Sequence, residues 1–239
     1  MMSLPVTSAA DPVASPATFC QSLAPGSDCT AAFQAAYQNR YTWDSGFAGY
    51  QGRCVWERDG RRLEGAFRVG ADLKAEVEGI EEEAVQKEMA GQLWEVAIHR
   101  VRRSFEQTHG QNTFTAGDSN ATGLEVIVGG KNAGDRYRIK DDVVTMVYRH
   151  IHGTVVTIFT HSVTHTGAGY LSHTYTSQYS DPATGAARGG VNAFTDTFVE
   201  LDGGGPWVLV ERRVECEGEG EAASKQVTTY RFEDLRPLV

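Results

Sequence analysis

The sequence predicts a mainly β protein of the α+β class: a large curved antiparallel sheet, barrel or half-barrel, closed by one long amphipathic helix and preceded by a short N-terminal helix. Three observations carry that reading. Segments of period-2 alternation recur at regular spacing between Gly, Asn and Asp turns. One stretch alone, residues 81–106, sustains a helical period. After it no helical segment intervenes between strands, so the connections are hairpins and the pairing is antiparallel.

Taken in order, the first 26 residues are rich in Ala, Ser, Pro and Thr, with no continuous apolar stretch and no arginine before Arg40. They read as a disordered leader, not a secretory signal or transit peptide. Residues 27–239 then form a single β-rich domain. Asp28 is placed to cap a short helix over Cys29 to Tyr41, with Phe33, Ala36, Tyr37 and Tyr41 on one face. Asp59-Gly60 is a two-residue hairpin signal, because both central positions of a type I′ turn require positive φ. Folding there sets Trp56 opposite Leu63, Cys54 opposite Gly65, Gly52 opposite Phe67 and Tyr50 opposite Val69, all on one inner face. Leu73, Ala75 and Val77 continue the alternation as a third strand.

From Glu81 to about Glu106, Val85, Met89, Leu93, Val96, Ala97, Val101 and Phe105 make a helical stripe, widened by Trp94 and Ile98. Acidic residues at its start and arginines near its end complement the helix dipole. Gly91 in its middle marks a bend or a close contact. Strands are then predicted over 123–128, 136–140, 143–149, 154–162, 170–180, 188–201, 206–216 and 226–235. So many strands must curl or split. The element order resembles lipocalin-like barrels and the half-barrel lipoprotein carriers of bacteria.

Composition narrows the function. With 22 Lys and Arg against 31 Asp and Glu, the net charge of -9 argues against general binding to nucleic acid or anionic lipid. Apolar runs such as Val155 to Phe159 fall far short of the ~20 residues of a membrane span. Cys20, Cys29, Cys54 and Cys216 match no zinc spacing and read as reduced thiols of a cytoplasmic protein, although Cys20 and Cys29 are close enough to bridge in an oxidising setting. No nucleophile, phosphate-loop or metalloprotease motif occurs, so no catalytic residue and no cofactor is assigned.

Four groups of residues remain as candidates. His150 and His152, with His161, His165 and His173 nearby, have a metal-ligand chemistry, but Gly153 puts His152 in a turn and ordinary polar positions are the preferred reading. His99, Arg100, Arg102, Arg103 and His109 cluster around the end of the long helix. There they either satisfy its C-terminus or hold a ligand carboxylate or phosphate. Replacing Arg100 and Arg103 with Ala is expected to weaken ligand binding more than thermal stability. The aromatic set Tyr41, Trp43, Phe47, Tyr50, Trp56 and Phe67 lines either a pocket or the core. Finally Leu171, His173, Tyr175, Ser177 and Tyr179 share a strand face whose mixed character fits a wet cavity, or else the solvent side of the sheet.

The motifs Ala35-Ala36-Tyr37-Gln38-Asn39-Arg40-Tyr41-Thr42-Trp43-Asp44, Phe47-Ala48-Gly49-Tyr50, Thr108-His109-Gly110-Gln111-Asn112-Thr113-Phe114, Val128-Gly129-Gly130 and Thr166-Gly167-Ala168-Gly169-Tyr170 together resemble a family of uncharacterised proteins from cyanobacteria and photosynthetic eukaryotes. The likeness runs from about residue 30 to the end. It implies a photosynthetic organism and supplies no catalytic residue. The function expected is a non-enzymatic protein that holds an apolar ligand (pigment, lipid or quinone) or assists assembly of a photosynthetic complex with a protein partner. Two alternatives stand beside it. One is a lipocalin-like bilin lyase acting on a tetrapyrrole, with Cys54 as its candidate thiol; the other is an interaction module using a free sheet edge.

Overall fold

The computed structural model describes residues 28–217 and 225–238. Asp28 caps the first helix, α1 (Cys29–Gln38), its carboxylate accepting the backbone N–H groups of Thr30 and Ala31. The Asp59-Gly60 turn has φ of 51° and 75° and joins β1 (Gly49–Arg58) to β2 (Arg61–Gly70). The register is the one the turn dictates, with Tyr50 opposite Val69 and Trp56 opposite Leu63. Trp56 and Phe67 are both buried on the shared face. The third strand, β3 (Ala75–Glu78), starts two residues late because Leu73 takes a left-handed φ of 66° in the turn.

The single long helix expected over 81–106 is two helices. The first, α2 (Glu83–His99), ends at Arg100, and Val101 leaves it to pair with Trp43 in a parallel bridge. A second, α3 (Phe105–His109), begins at Ser104 with a capping box: the Ser104 hydroxyl accepts from the Gln107 N–H, and the Gln107 side chain accepts from the Ser104 N–H. Trp94 is half-exposed and takes no part in the buried stripe. Gly91 does not mark a close contact, since a Cβ there would meet no neighbour within 4 Å.

The chain then runs through β4 (Asn112–Asn120), β5 (Gly123–Gly130), β6 (Arg136–Lys140), β7 (Val143–Ile151), β8 (Thr154–Thr166), β9 (Gly169–Ser180), β10 (Asn192–Glu200), β11 (Trp207–Cys216) and β12 (Gln226–Pro237). The strand β4 was not expected. Among the described residues, twelve strands form one antiparallel sheet in the order β3-β2-β1-β12-β11-β10-β9-β8-β7-β6-β5-β4. β3 and β4 are its two free edges, so the sheet is an open half-barrel, not a closed barrel. Bulges in β4, β8, β11 and β12 add to the curl.

That order dictates where the helices go. Since β3 and β4 lie at opposite edges, the α2–α3 segment must cross the sheet, and the curl wraps around it. Direct cross-strand pairs carry one face continuously from Trp56 through Tyr230, Arg212 and Asp196, then from Phe194 through Tyr175, and from Ser177 through Ile158, Val147 and Tyr137 to Val126. This concave face carries two separate cores. On one flank Val85, Met89, Leu93, Val96 and Ala97 of α2 pack on Trp56, Phe67, Val69, Val77, Tyr230 and Phe232. On the other, Phe33, Ala36 and Tyr37 of α1 and Phe105 of α3 pack on Val126, Val128, Tyr137 and Ile139. The middle strands β8–β10 lie between them.

Candidate functional site

The middle of the concave face combines a buried polar wall with half-exposed apolar side chains. Its wall is built on adjacent strands. Asp196 of β10 sits between Phe194 and Phe198 on the inner face, directly opposite Arg212 of β11. Arg212 reaches both oxygens of that carboxylate, Nε to Oδ1 at 2.8 Å and Nη2 to Oδ2 at 2.6 Å. Nη2 also donates to the Tyr175 hydroxyl at 2.7 Å, and Nη1 donates to Oε1 of Gln92 on α2 at 2.9 Å. Asp196 and Arg212 are each only 2 % exposed. Burial alone would discharge the guanidinium; the carboxylate at its face outweighs that and holds its pKa above the ordinary value. Burial likewise raises the Tyr175 hydroxyl well above its usual range, so it stays a neutral donor to Asp196. Phe194 stacks flat on Tyr175 at 4.7 Å, which fixes the ring.

Arg100 stands next to this wall and differs from it. It caps α2, its backbone oxygen accepting from the Trp43 N–H at 2.8 Å. Its guanidinium lies 5.4 Å over the Phe198 ring, and Nε is buried with no hydrogen-bond partner. Its pKa falls to about 10, first through burial and then through repulsion by Arg212 and Arg40, against the opposing pull of Asp196. Arg40, in the loop after α1, donates from Nε to the Tyr37 oxygen at 2.9 Å and stacks 3.8 Å over the Tyr37 ring.

From there the face runs along β8 and β9 toward its open end. Val147, Ile158 and Phe194 are half-buried, Ser177 is buried, and Ile151 and Tyr179 are exposed at the far end. The helical packs reach the edges of this strip, Phe194 packing against the α2-side core and Val147 against the α1-side core, while α2 sits mainly on β2 and β3, and α1 on β4, β6 and β7. Two clefts of 490 Å³ and 310 Å³ lie elsewhere, beside α3 and at the β2–β3 edge.

The residues singled out in the sequence scatter among these environments. Tyr41, Trp43 and Tyr50 are buried in the α2-side core. The Tyr41 hydroxyl accepts from the Trp207 N–H at 2.9 Å, and Trp43 Nε1 donates to the Trp207 oxygen at 3.0 Å while stacking on Phe47 at 3.9 Å. The expected cluster of His99, Arg100, Arg102, Arg103 and His109 does not form, because the helix it assumed breaks after His99. His99 turns back to the Glu95 oxygen at 2.7 Å, and burial lowers its pKa. Arg102 and Arg103 are exposed in the linker between α2 and α3. His109 is buried instead among Phe33, Tyr37, Phe105, Phe114 and Tyr137, and burial drives its pKa down to about 4, helped by Arg149 and Arg40. His173 bonds the Asp196 backbone oxygen at 2.7 Å, so only His173 and Tyr175 of the β9 face join the polar wall.

The remaining candidates have plain outcomes. His152 is in a turn with φ of 46°, His150 meets Asp135 at 3.2 Å and His161 meets Thr176 at 3.2 Å. Among the described residues no group of three metal-ligating side chains gathers. Cys54 is fully buried and burial pushes its thiol up to about 11, which leaves little thiolate for chemistry. Cys20 lies outside the described residues, as do residues 1–26 expected as a leader.

Asp196, Arg212 and Arg40 were missed in the sequence. A carboxylate alternating with two phenylalanines, Phe194-x-Asp196-x-Phe198, and Arg212 two residues before Val214 were the available signals. A charge on the apolar side of a strand demands a partner.

The fold is thus an open antiparallel half-barrel with two internal helical packs and a buried charged wall between them. The chain belongs to the DUF3386 family, described as proteins of unknown function, whose family model matches residues 24–238. No curated protein matches the sequence. Among solved structures it is similar to a DUF1329 family protein from Desulfovibrio piger (11% identity, 88% of this chain and 93% of the other covered, TM-score 0.27). It is also similar to the LolA superfamily protein NE2245 from Nitrosomonas europaea (10% identity, 88% and 94% covered, TM-score 0.31). A third is the MucA/MucB complex of Pseudomonas aeruginosa (10% identity, 88% and 98% covered, TM-score 0.20). Among the described residues no helix is long and apolar enough to cross a membrane.

Proposed function

We propose that this protein is a non-enzymatic carrier that holds an apolar small molecule along the concave strip of β8–β10. One observation carries the reading: the strip lies between two helical packs that end at Phe194 on one side and Val147 on the other, leaving Ile158 half-buried and Tyr179 exposed on the inside of the sheet. A face of this kind, walled by satisfied polar groups, suits a ligand with an apolar body. The motif resemblance supports a photosynthetic cell as its setting, with pigment, lipid or quinone as the ligand and assembly of a photosynthetic complex as the use of the loaded protein. The free thiols Cys29, Cys54 and Cys216 support a cytoplasmic location. Burial raises the Cys54 thiol to about 11, which disfavours it as the nucleophile of the lyase alternative.

The test is titration of the purified protein with Nile red, a neutral apolar fluorophore, followed by its emission. Wild type should bind saturably near one-to-one. Ile158→Trp, which fills the strip, should weaken binding by about tenfold or more. Equal binding by wild type and variant would move the ligand off this face.

A further inference from the structure

Among the described residues, Arg40, Arg68, Arg100, Arg103 and Arg236 are the arginines with no carboxylate within 4.0 Å. Arg68, Arg103 and Arg236 are exposed, so water serves them. Arg40 and Arg100 are only half-exposed, and they act electrostatically on each other. Among the described residues, an acidic chain that supplies carboxylates to its other partly buried arginines leaves these two without any.

Their backbone places them together. The segment 40–43 is a strap, bonded on one side to β9 through Tyr41 N–H to the Tyr170 oxygen at 2.8 Å. On its other side the Trp43 N–H bonds the Arg100 oxygen at 2.8 Å. Arg40 itself bridges Tyr170, at the start of β9. Both residues are therefore anchored at the Leu171 end of the concave strip, the Arg100 guanidinium over Phe198 and that of Arg40 over Tyr37, while Tyr179 marks the open end. At about 3.3 Å per residue the two ends are roughly 26 Å apart.

A structural role accounts for part of this. A cation at a helix C-terminus is favoured, and Arg100 caps α2. That leaves two features unexplained: the buried Nε of Arg100 makes no hydrogen bond, and Arg40 is held rigidly on Tyr37 with only its Nε engaged. Asp196 does not supply the need: its carboxylate is paired with Arg212 and lies beyond 4.0 Å of Arg100. Arg100, with a buried unpartnered Nε, and Arg40, held on Tyr37 with its terminal nitrogens unengaged, present two forks of donors that match an oxyanion in charge.

We propose that Arg40 and Arg100 form an anion-binding pole that takes the carboxylate or phosphate head of an amphipathic ligand whose apolar chain lies along the strip toward Tyr179. This rests on the carrier reading and sharpens it: the cargo is a long-chain anion, not a neutral lipid. The ion pair forms only on loading, so the empty protein keeps an unmatched positive site.

The experiment is displacement of Nile red by palmitate, by lysophosphatidic acid and by methyl palmitate, on wild type, Arg40→Gln, Arg100→Gln and the double variant. Melting temperatures identify any variant that fails to fold, and Arg40→Gln lies outside both cores, so the comparison does not depend on Arg100 alone. The expected result is that wild type prefers one or both anions to the ester by about tenfold or more, and that the preference falls to about unity in the double variant with ester binding kept. The better anion identifies carboxylate or phosphate as the head. Equal affinity for ester and anions in wild type overturns the pole but leaves the carrier. Failure of Nile red and all three chains to bind overturns both. Stabilisation of wild type by inorganic phosphate alone, as large as by the chain-bearing anions, overturns the amphiphile in favour of a free anion.

Discussion

The two flanks of the concave face reach stability by different chemistry. On the α2 flank an apolar stripe is tied to the sheet by charges: Glu88 meets Arg58 and the Tyr230 hydroxyl, and Gln92 meets Arg212, which in turn is locked to Asp196. On the α1–α3 flank the lock is aromatic, with Phe33 at 4.6 to 5.6 Å from Tyr137, His109, Phe114 and Phe105. His109 sits inside that box as a neutral ring. One flank therefore depends on paired charge and the other on ring packing and on keeping a proton off. The strip between them is bordered by a polar wall on one side only, which gives a ligand lying there a defined orientation.

The contrast can be broken hardest at Asp196. Asp196→Asn removes the buried carboxylate from Arg212, leaving only the more exposed Glu95 at 3.5 Å, and should cost about 3–5 kcal/mol in urea denaturation. A loss under 1 kcal/mol would show that Glu95, Gln92 and Tyr175 suffice. Phe33→Ala empties the centre of the aromatic box and should cost about 3–4 kcal/mol by cavity formation, with no change in the salt dependence of stability.

His109 separates the flanks by pH. Its folded pKa of about 4 lies below the unfolded value near 6.5, so the unfolded chain binds the extra proton first. The contribution is whole above pH 6.5 and is lost as pH falls toward 4, by up to about 3 kcal/mol. Stability measured from pH 7 to 4.5 should slope downward in wild type, and His109→Leu should remove that part of the slope. An unchanged slope would assign it to carboxylates instead. The smallest effect is expected at Gly91, where nothing crowds a Cβ: Gly91→Ala should raise stability by about 0.5–1 kcal/mol. A loss there would mean that α2 needs the flexibility.

Local signals were strong where one short motif fixed everything. Asp59-Gly60 set a ten-residue register without error, and Asp28 marked the start of α1. They failed where two signals competed. The helical period continued through Val101 and Phe105 by coincidence, masking the Ser104–Gln107 capping box that starts a new helix. β4 escaped notice because an edge strand reading Asn-Thr-Phe-Thr-Ala-Gly-Asp-Ser-Asn has almost no apolar alternation to show. The polar wall was half legible. Tyr175 and His173 stood out as polar groups in register, but their partner Asp196 lies on a strand whose pairing with β11 slips by one residue at Val210, next to Thr197 and Phe198. Arg40 lies in a loop, where no period points anywhere, and only the folded strap brings it to Arg100.

The most direct test of the carrier account is native mass spectrometry, with an absorption spectrum, on the protein purified gently from its own cells, alongside Ile158→Trp prepared the same way. The account predicts a defined small-molecule adduct on wild type, close to one per chain, that is depleted from the variant. A clean apo mass for wild type, or an adduct retained in full by Ile158→Trp, would contradict it.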